Sequence, residues 1–157
     1  MKINFLRAII LTLLLGTFFI IFGFSSQNAE ESGGLSSNIA KFILQQVHNK
    51  DIKNDNQILK RTESVIRKMA HFSIYTLMGF LLMSFISTYD LKENKRIMVS
   101  LCIGAIYAIS DEIHQLFVPG RSGQITDILL DSMGVLLGIL LVLTGIEVYK
   151  KVKNIKE

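Results

Sequence analysis

The chain has 157 residues, half of them hydrophobic and 19% charged, with a formal net charge of +4. A mean hydropathy of +0.42 is high for a water-soluble domain of this size and places the chain in the membrane class. The single cysteine, Cys102, excludes an intramolecular disulfide and a paired-thiol metal site. The basic residues flank hydrophobic runs instead of forming a stripe beside aromatics, so lipid headgroups are the expected partner and nucleic acid is not.

The first apolar run, Ala8 to Phe24, follows Lys2 and Arg7. It is longer than the core of a secretory signal and no Ala-x-Ala site follows, which favours a retained spanning helix over about residues 5–24. The stretch from Ser25 to about Lys68 is polar. Its Glu30, Glu31, Ser32, Gly33, Gly34 patch reads as loop. Beyond it, Ile39, Phe42, Ile43 and Val47 recur at helical spacing, with Lys41, Gln45, Gln46 and His48 between them. That pattern predicts a short amphipathic helix lying on the membrane surface or capping the bundle, with an ordinary packed surface helix as the alternative.

A second span is expected at about 70–89, a third at 97–117 and a fourth at 125–148, with a basic tail at 149–157. The third is uncharged only from Ile97 to Ser110, which at ~1.5 Å per residue covers ~21 Å of a ~30 Å hydrocarbon core. To cross, it must carry Asp111, Glu112, His114 and Gln115 into or beside the bilayer. The fourth similarly embeds Asp131. The fold class is therefore all-α, with four transmembrane helices and a long, partly helical loop between the first and second.

Short segments dense in Lys and Arg tend to stay in the cytoplasm. Lys2, Arg7, Lys92, Lys95, Arg96 and the 149–157 tail form such segments, whereas the long first loop dilutes its basic residues with Glu30, Glu31, Asp51, Asp55 and Glu63. Both termini are expected in the cytoplasm of a multi-pass cell-membrane protein. With four spans, the remaining charged groups meet at one face of the bilayer, which is then the outer face.

Helical phase orders that cluster. Arg67, His71 and Tyr75 share a stripe of the second span; Asp111, His114 and Gln115 share one on the third; Asp127 and Asp131 continue into Gly134 and Gly138 on the fourth. The Gly-x-x-x-Gly surface permits close helix packing and marks the interior. A charge near the bilayer centre costs about 2.5–3.5 kcal/mol, so these groups need partners or water. Arg67, Lys68 and Arg121 can oppose Asp111, Glu112, Asp127 and Asp131, either as an ion-paired plug or as a polar pocket for a phosphate, carboxylate or peptide headgroup. Asp127 also suits the first turn of a helix, and Lys68 can snorkel to headgroups. Pro119 and Gly120 make a turn. Metal binding by His71, Asp111, Glu112, His114 and the fourth-helix aspartates is conceivable, but no standard metal-ligand spacing, nucleophile motif or Walker lysine is present, so no metal site and no cofactor are assigned.

At these residues the sequence resembles the VanZ-like family of bacterial membrane proteins. The resemblance rests on Phe24-Ser25-Ser26-Gln27, Arg67-Lys68-Met69-Ala70-His71-Phe72 with Tyr75, the block from Ser110-Asp111-Glu112 through His114-Gln115 to Pro119-Gly120-Arg121, and Asp127, Asp131 and Gly134. It covers about residues 5–145. It implies a small multi-pass cell-membrane protein of the envelope, some relatives lowering susceptibility to lipid-tailed glycopeptides such as teicoplanin, and it supplies no reaction. The expected function is engagement of an amphiphile, a lipid-linked cell-wall precursor or a lipoglycopeptide, by an outward polar pocket of Arg67, Lys68, His71, Tyr75, Asp111, Glu112, His114, Gln115, Arg121, Asp127 and Asp131. The alternative is a membrane transferase or hydrolase acting on a lipid-linked envelope substrate.

Overall fold

The computed structural model describes residues 2–27, 29–47 and 56–156. Five helices follow one another: α1 (Lys2–Ser25), α2 (Ala29–Val47), α3 (Asn56–Ile86), α4 (Glu93–Gln115) and α5 (Ile125–Lys156). No strand occurs among the described residues. Four of the five, α1, α3, α4 and α5, are long and apolar enough to cross a membrane.

Their outward faces carry large exposed apolar side chains such as Phe19, Phe80, Ile106 and Leu140. In water that surface would be a liability, and in lipid it is the solvated face. The interior is a compact cluster of Leu14, Ile21, Tyr75, Met78, Leu82, Met83, Ala108, Val135 and Ile139. The tightest pairing is α3 with α5. A Cβ at Gly138 would overlap the Thr76 carbonyl, and one at Gly134 would stand 2.7 Å from the Phe72 carbonyl, so the two backbones touch where the sequence placed its glycine face. This crossing presses the first half of α5 against α3 and sets Asp127 and Asp131 opposite Lys68 and His71.

The loop expected at Glu30–Gly34 is helical, because α2 runs unbroken from Ala29. Two glycines lower helix propensity by about 1 kcal/mol each, and tertiary packing outweighs that: Ser36 and Ala40, one turn apart, are buried, and α2 packs on α3. The apolar stripe of Ile39, Phe42 and Ile43 lies on an exposed face. His48, Asp51 and Asp55 lie outside the described residues. The helix containing the second span begins at Asn56, well before residue 70, so Arg67, Lys68 and His71 sit within a continuous helix and not at its frayed start. Helix α5 continues through the basic tail to Lys156.

At the end where α1 starts, Arg7 donates from Nη2 to the Thr88 carbonyl at 2.6 Å and from Nε to Thr88 Oγ1 at 3.0 Å, with its guanidinium 4.2 Å over the Tyr89 ring. Midway, the Tyr107 hydroxyl donates to the Phe18 carbonyl at 2.7 Å, tying α4 to α1.

Candidate functional site

At the opposite end of the bundle the polar residues converge. Helix α4 carries Asp111, Glu112 and Gln115 into buried positions before it ends at Gln115. The chain then tightens through Phe117 N–H to His114 O and Val118 N–H to Gln115 O, and turns at Pro119–Gly120, where Gly120 has φ of 76°. Only glycine tolerates that left-handed backbone without strain. The turn brings Arg121 back over the bundle, where its Nη2 donates to the Phe24 carbonyl at 3.1 Å, beside the end of α1. Helix α5 then opens at Ile125, and the Gln124 N–H donates to Glu112 Oε1 at 2.5 Å. A carboxylate at that position is favoured by the helix dipole.

These elements enclose a polar cavity of about 160 Å³, well above the ~10–15 Å³ one water requires. Its wall from α3 is Ser64, Arg67, Lys68 and His71; from α4, Glu112 and Gln115; from the turn, Gly120, Arg121, Ser122 and Gln124; and from α5, Asp127, Leu130 and Asp131. Lys68 Nζ is paired with Asp127 Oδ1. His71 Nδ1 lies 3.8 Å from Asp131 Oδ2. Arg67 has neither a hydrogen bond nor an ion pair among the described residues, yet it stands close enough to Arg121 for the two charges to repel. Burial and then this neighbouring charge pull the Arg121 guanidinium below its ordinary value, with Asp111 and Glu112 opposing.

Of the expected site residues, Arg67, Lys68, His71, Glu112, Gln115, Arg121, Asp127 and Asp131 line this one cavity. Asp111 lies beneath it: an oxygen of Asp111, one of Asp131 and a ring nitrogen of His71 all stand within 4.8 Å of one another. Gln115 Nε2 donates to Asp111 Oδ2 at 3.2 Å. Tyr75 is fully buried below His71, ring centroids 6.4 Å apart. His114 does not join the group. Its ring stacks on Phe22 at 4.7 Å and meets Ser26 Oγ at 3.2 Å, so it fastens α4 to α1. The three-residue step from Asp111 puts it near the same stripe, but a helix advances 300° in three residues, and α1 occupies the resulting direction. Ser64, Ser122, Gln124 and Leu130 were missed. Ser64 is one turn before Lys68, so extending the α3 stripe backwards was the available signal.

A second, apolar cavity of about 510 Å³ adjoins the first. Ile21 and Phe24 of α1, Ser36 and Ile39 of α2, and Ile66, Ala70, Ile74 and Leu77 of α3 form its walls. Arg67, His71 and Arg121 line both cavities, so the three side chains form the boundary between a polar and an apolar chamber.

A family model described as VanZ/LLP1 matches residues 9–146. No curated protein and no solved structure gives a significant match. The matched stretch takes in all of α3 and α4, most of α1 and α5, and every residue of the cavity wall, and the chain belongs to the VanZ/LLP1 family.

Proposed function

We propose that the chain is a binding protein of the bacterial cell envelope whose paired chambers receive an amphiphile with an anionic head. The head, a phosphate or carboxylate, sits between Arg67 and Arg121, and the acyl or prenyl tail occupies the apolar chamber. One observation carries this reading: the two chambers share Arg67, His71 and Arg121. Two neighbouring guanidiniums, one of them without a counter-charge, favour an anion between them. The apolar chamber falls within the ~300–1,000 Å³ of ordinary ligand pockets. Lipid-linked wall precursors and lipoglycopeptides such as teicoplanin both combine an apolar tail with anionic groups. With the termini in the cytoplasm, as the dense basic segments favour, the chambers open towards the outer leaflet, where either occupant is met.

The purified chain in micelles is expected to bind a polyprenyl phosphate, and Arg67→Ala and Arg121→Ala should each weaken that binding at least about tenfold, the ~1.4 kcal/mol typical of a lost charge-assisted contact. A tail of equal length with an uncharged head should bind no better than background. Retention of full affinity in both variants would sink the reading. In cells, the same substitutions should remove any protection against teicoplanin without lowering the amount of protein in the membrane.

The His71–Asp131 pair supports a second reading, acid–base chemistry on a lipid-linked substrate. Its test is turnover: envelope lipid extract incubated with the purified chain should lose one component and gain another, and an unchanged lipid profile counts against it.

A further inference from the structure

We propose that the floor of the polar cavity is a divalent metal site made by His71, Asp111 and Asp131. Each ligand comes from a different helix, α3, α4 and α5, and one donor atom from each lies within 4.8 Å of the other two. Asp111 and Asp131 are 5% and 2% exposed, so both carboxylates are withdrawn from solvent inside an apolar bundle. Buried carboxylates require compensation, and what the protein itself provides is thin. Asp131 Oδ1 has no hydrogen-bond partner among the described residues, and its Oδ2 stands 3.8 Å from His71, beyond hydrogen-bond reach. Among the described residues none of the cavity's lysine or arginine side chains forms an ion pair with Asp111 or Asp131: Lys68 holds Asp127, Arg121 reaches the Phe24 carbonyl, and Arg67 pairs with neither carboxylate. The buried Tyr75 hydroxyl is close to Asp111 but makes no hydrogen bond of normal geometry among the described residues.

A dication on these three side chains balances both carboxylates and satisfies the stranded Asp131 oxygen. One imidazole nitrogen with carboxylate oxygens is a borderline-to-hard donor set, suited to Zn²⁺ or Mn²⁺ and ill suited to Cu⁺. Metal–ligand bonds of ~2.0–2.2 Å set neighbouring donor atoms about 3.0–3.5 Å apart. The triad therefore contracts by about 1–2 Å on loading, within reach of side-chain rotation. Gln115 already supplies an outer hydrogen bond that orients Asp111. His71 and Asp131 also line the cavity, which gives the ion a route in. Nothing in the triad depends on the amphiphile, so metal binding is measurable in plain detergent.

The test uses the full chain in micelles, stripped with chelator and titrated with Mn²⁺ or Zn²⁺ alone. One ion per chain should bind at micromolar concentration, and pulsed EPR of the Mn²⁺ form should show coupling to a single imidazole nitrogen. Asp131→Asn and Asp111→Asn should each weaken binding at least about tenfold, while Lys95→Ala, exposed at the opposite end of the bundle, should leave it unchanged. No stoichiometric binding of either ion by the folded wild-type chain would overturn the proposal, as would bound Mn²⁺ lacking nitrogen coupling. Should the asparagine variants fail to fold, the wild-type nitrogen signature decides the matter by itself.

Discussion

The two ends of this bundle handle arginine in opposite ways. Arg7, near the end of the bundle where α1 begins, is fully engaged: the Thr88 carbonyl, the Thr88 hydroxyl and the Tyr89 ring all take part of its charge. Nearby, Arg96 Nε donates to the Leu91 carbonyl at 2.6 Å. Neither contact uses a carboxylate, and both close the chain after a helix, where carbonyl oxygens lack intrahelical partners. At the other end, and among the described residues, Arg67 stands without a hydrogen bond or ion pair beside a second guanidinium, while Asp131 Oδ1 has no hydrogen-bond partner a turn deeper. Stability alone would favour the first arrangement everywhere. The second leaves Arg67 unpaired and one Asp131 oxygen unsatisfied among the described residues, which is the arrangement the proposed ligand site rests on.

The largest effect should come from the helix contact that supports the polar end. Gly138→Leu forces a side chain into the Thr76 carbonyl and should destabilise the bundle by about 3 kcal/mol or more, the upper end of overpacking effects. Thermal loss of helicity in micelles measures it. Gly145→Leu, where nothing lies within 4 Å, should stay within about 0.5 kcal/mol of the parent. Equal tolerance of both would mean that the α3–α5 crossing does not hold the site.

The two arginines come next, and they should separate stability from binding. Arg7→Ala removes two charge-assisted hydrogen bonds and should cost about 1.5–3 kcal/mol in stability with no change in amphiphile affinity. Arg67→Ala relieves a like-charge contact, so stability should hold within about 0.5 kcal/mol or rise, while binding of a polyprenyl phosphate falls. An Arg67→Ala variant as unstable as Arg7→Ala would erase the contrast between the ends and restore the plug.

Much of this end was legible in the sequence. A third apolar run too short for a bilayer forced Asp111 and Glu112 inside, and both are buried. Helical phase put His71 and Tyr75 on one line and Asp131 above the glycine face, as the structure has them. What phase within one helix does not encode is the neighbour. His114 shares its helix with Asp111 but meets α1, and the triad of His71, Asp111 and Asp131 has no spacing motif because its members come from three helices. The apolar chamber needs α2 laid against α3: the stripe from Ile39 marks part of that helix, but two glycines argue against a helix at 30–34, and no pattern within α2 names α3 as its partner. Propensity is a local quantity, whereas the burial of Ser36 and Ala40 is set by the partner.

The smallest expected effect concerns Lys68 and Asp127, the one lysine–carboxylate pair among the described residues of the cavity. Both side chains are partly exposed, 37% and 27%, so water and ions screen the pair and its coupling should be no more than about 1 kcal/mol. A double-mutant cycle with Lys68→Ala and Asp127→Asn isolates that coupling, and raising the salt should shrink it. A coupling of several kcal/mol, insensitive to salt, would mean that the cavity mouth is dry and closed by this pair. The polar end would then resemble the Arg7 end after all, with its charges serving to seal the bundle and leaving no opening through which a headgroup could reach Arg67.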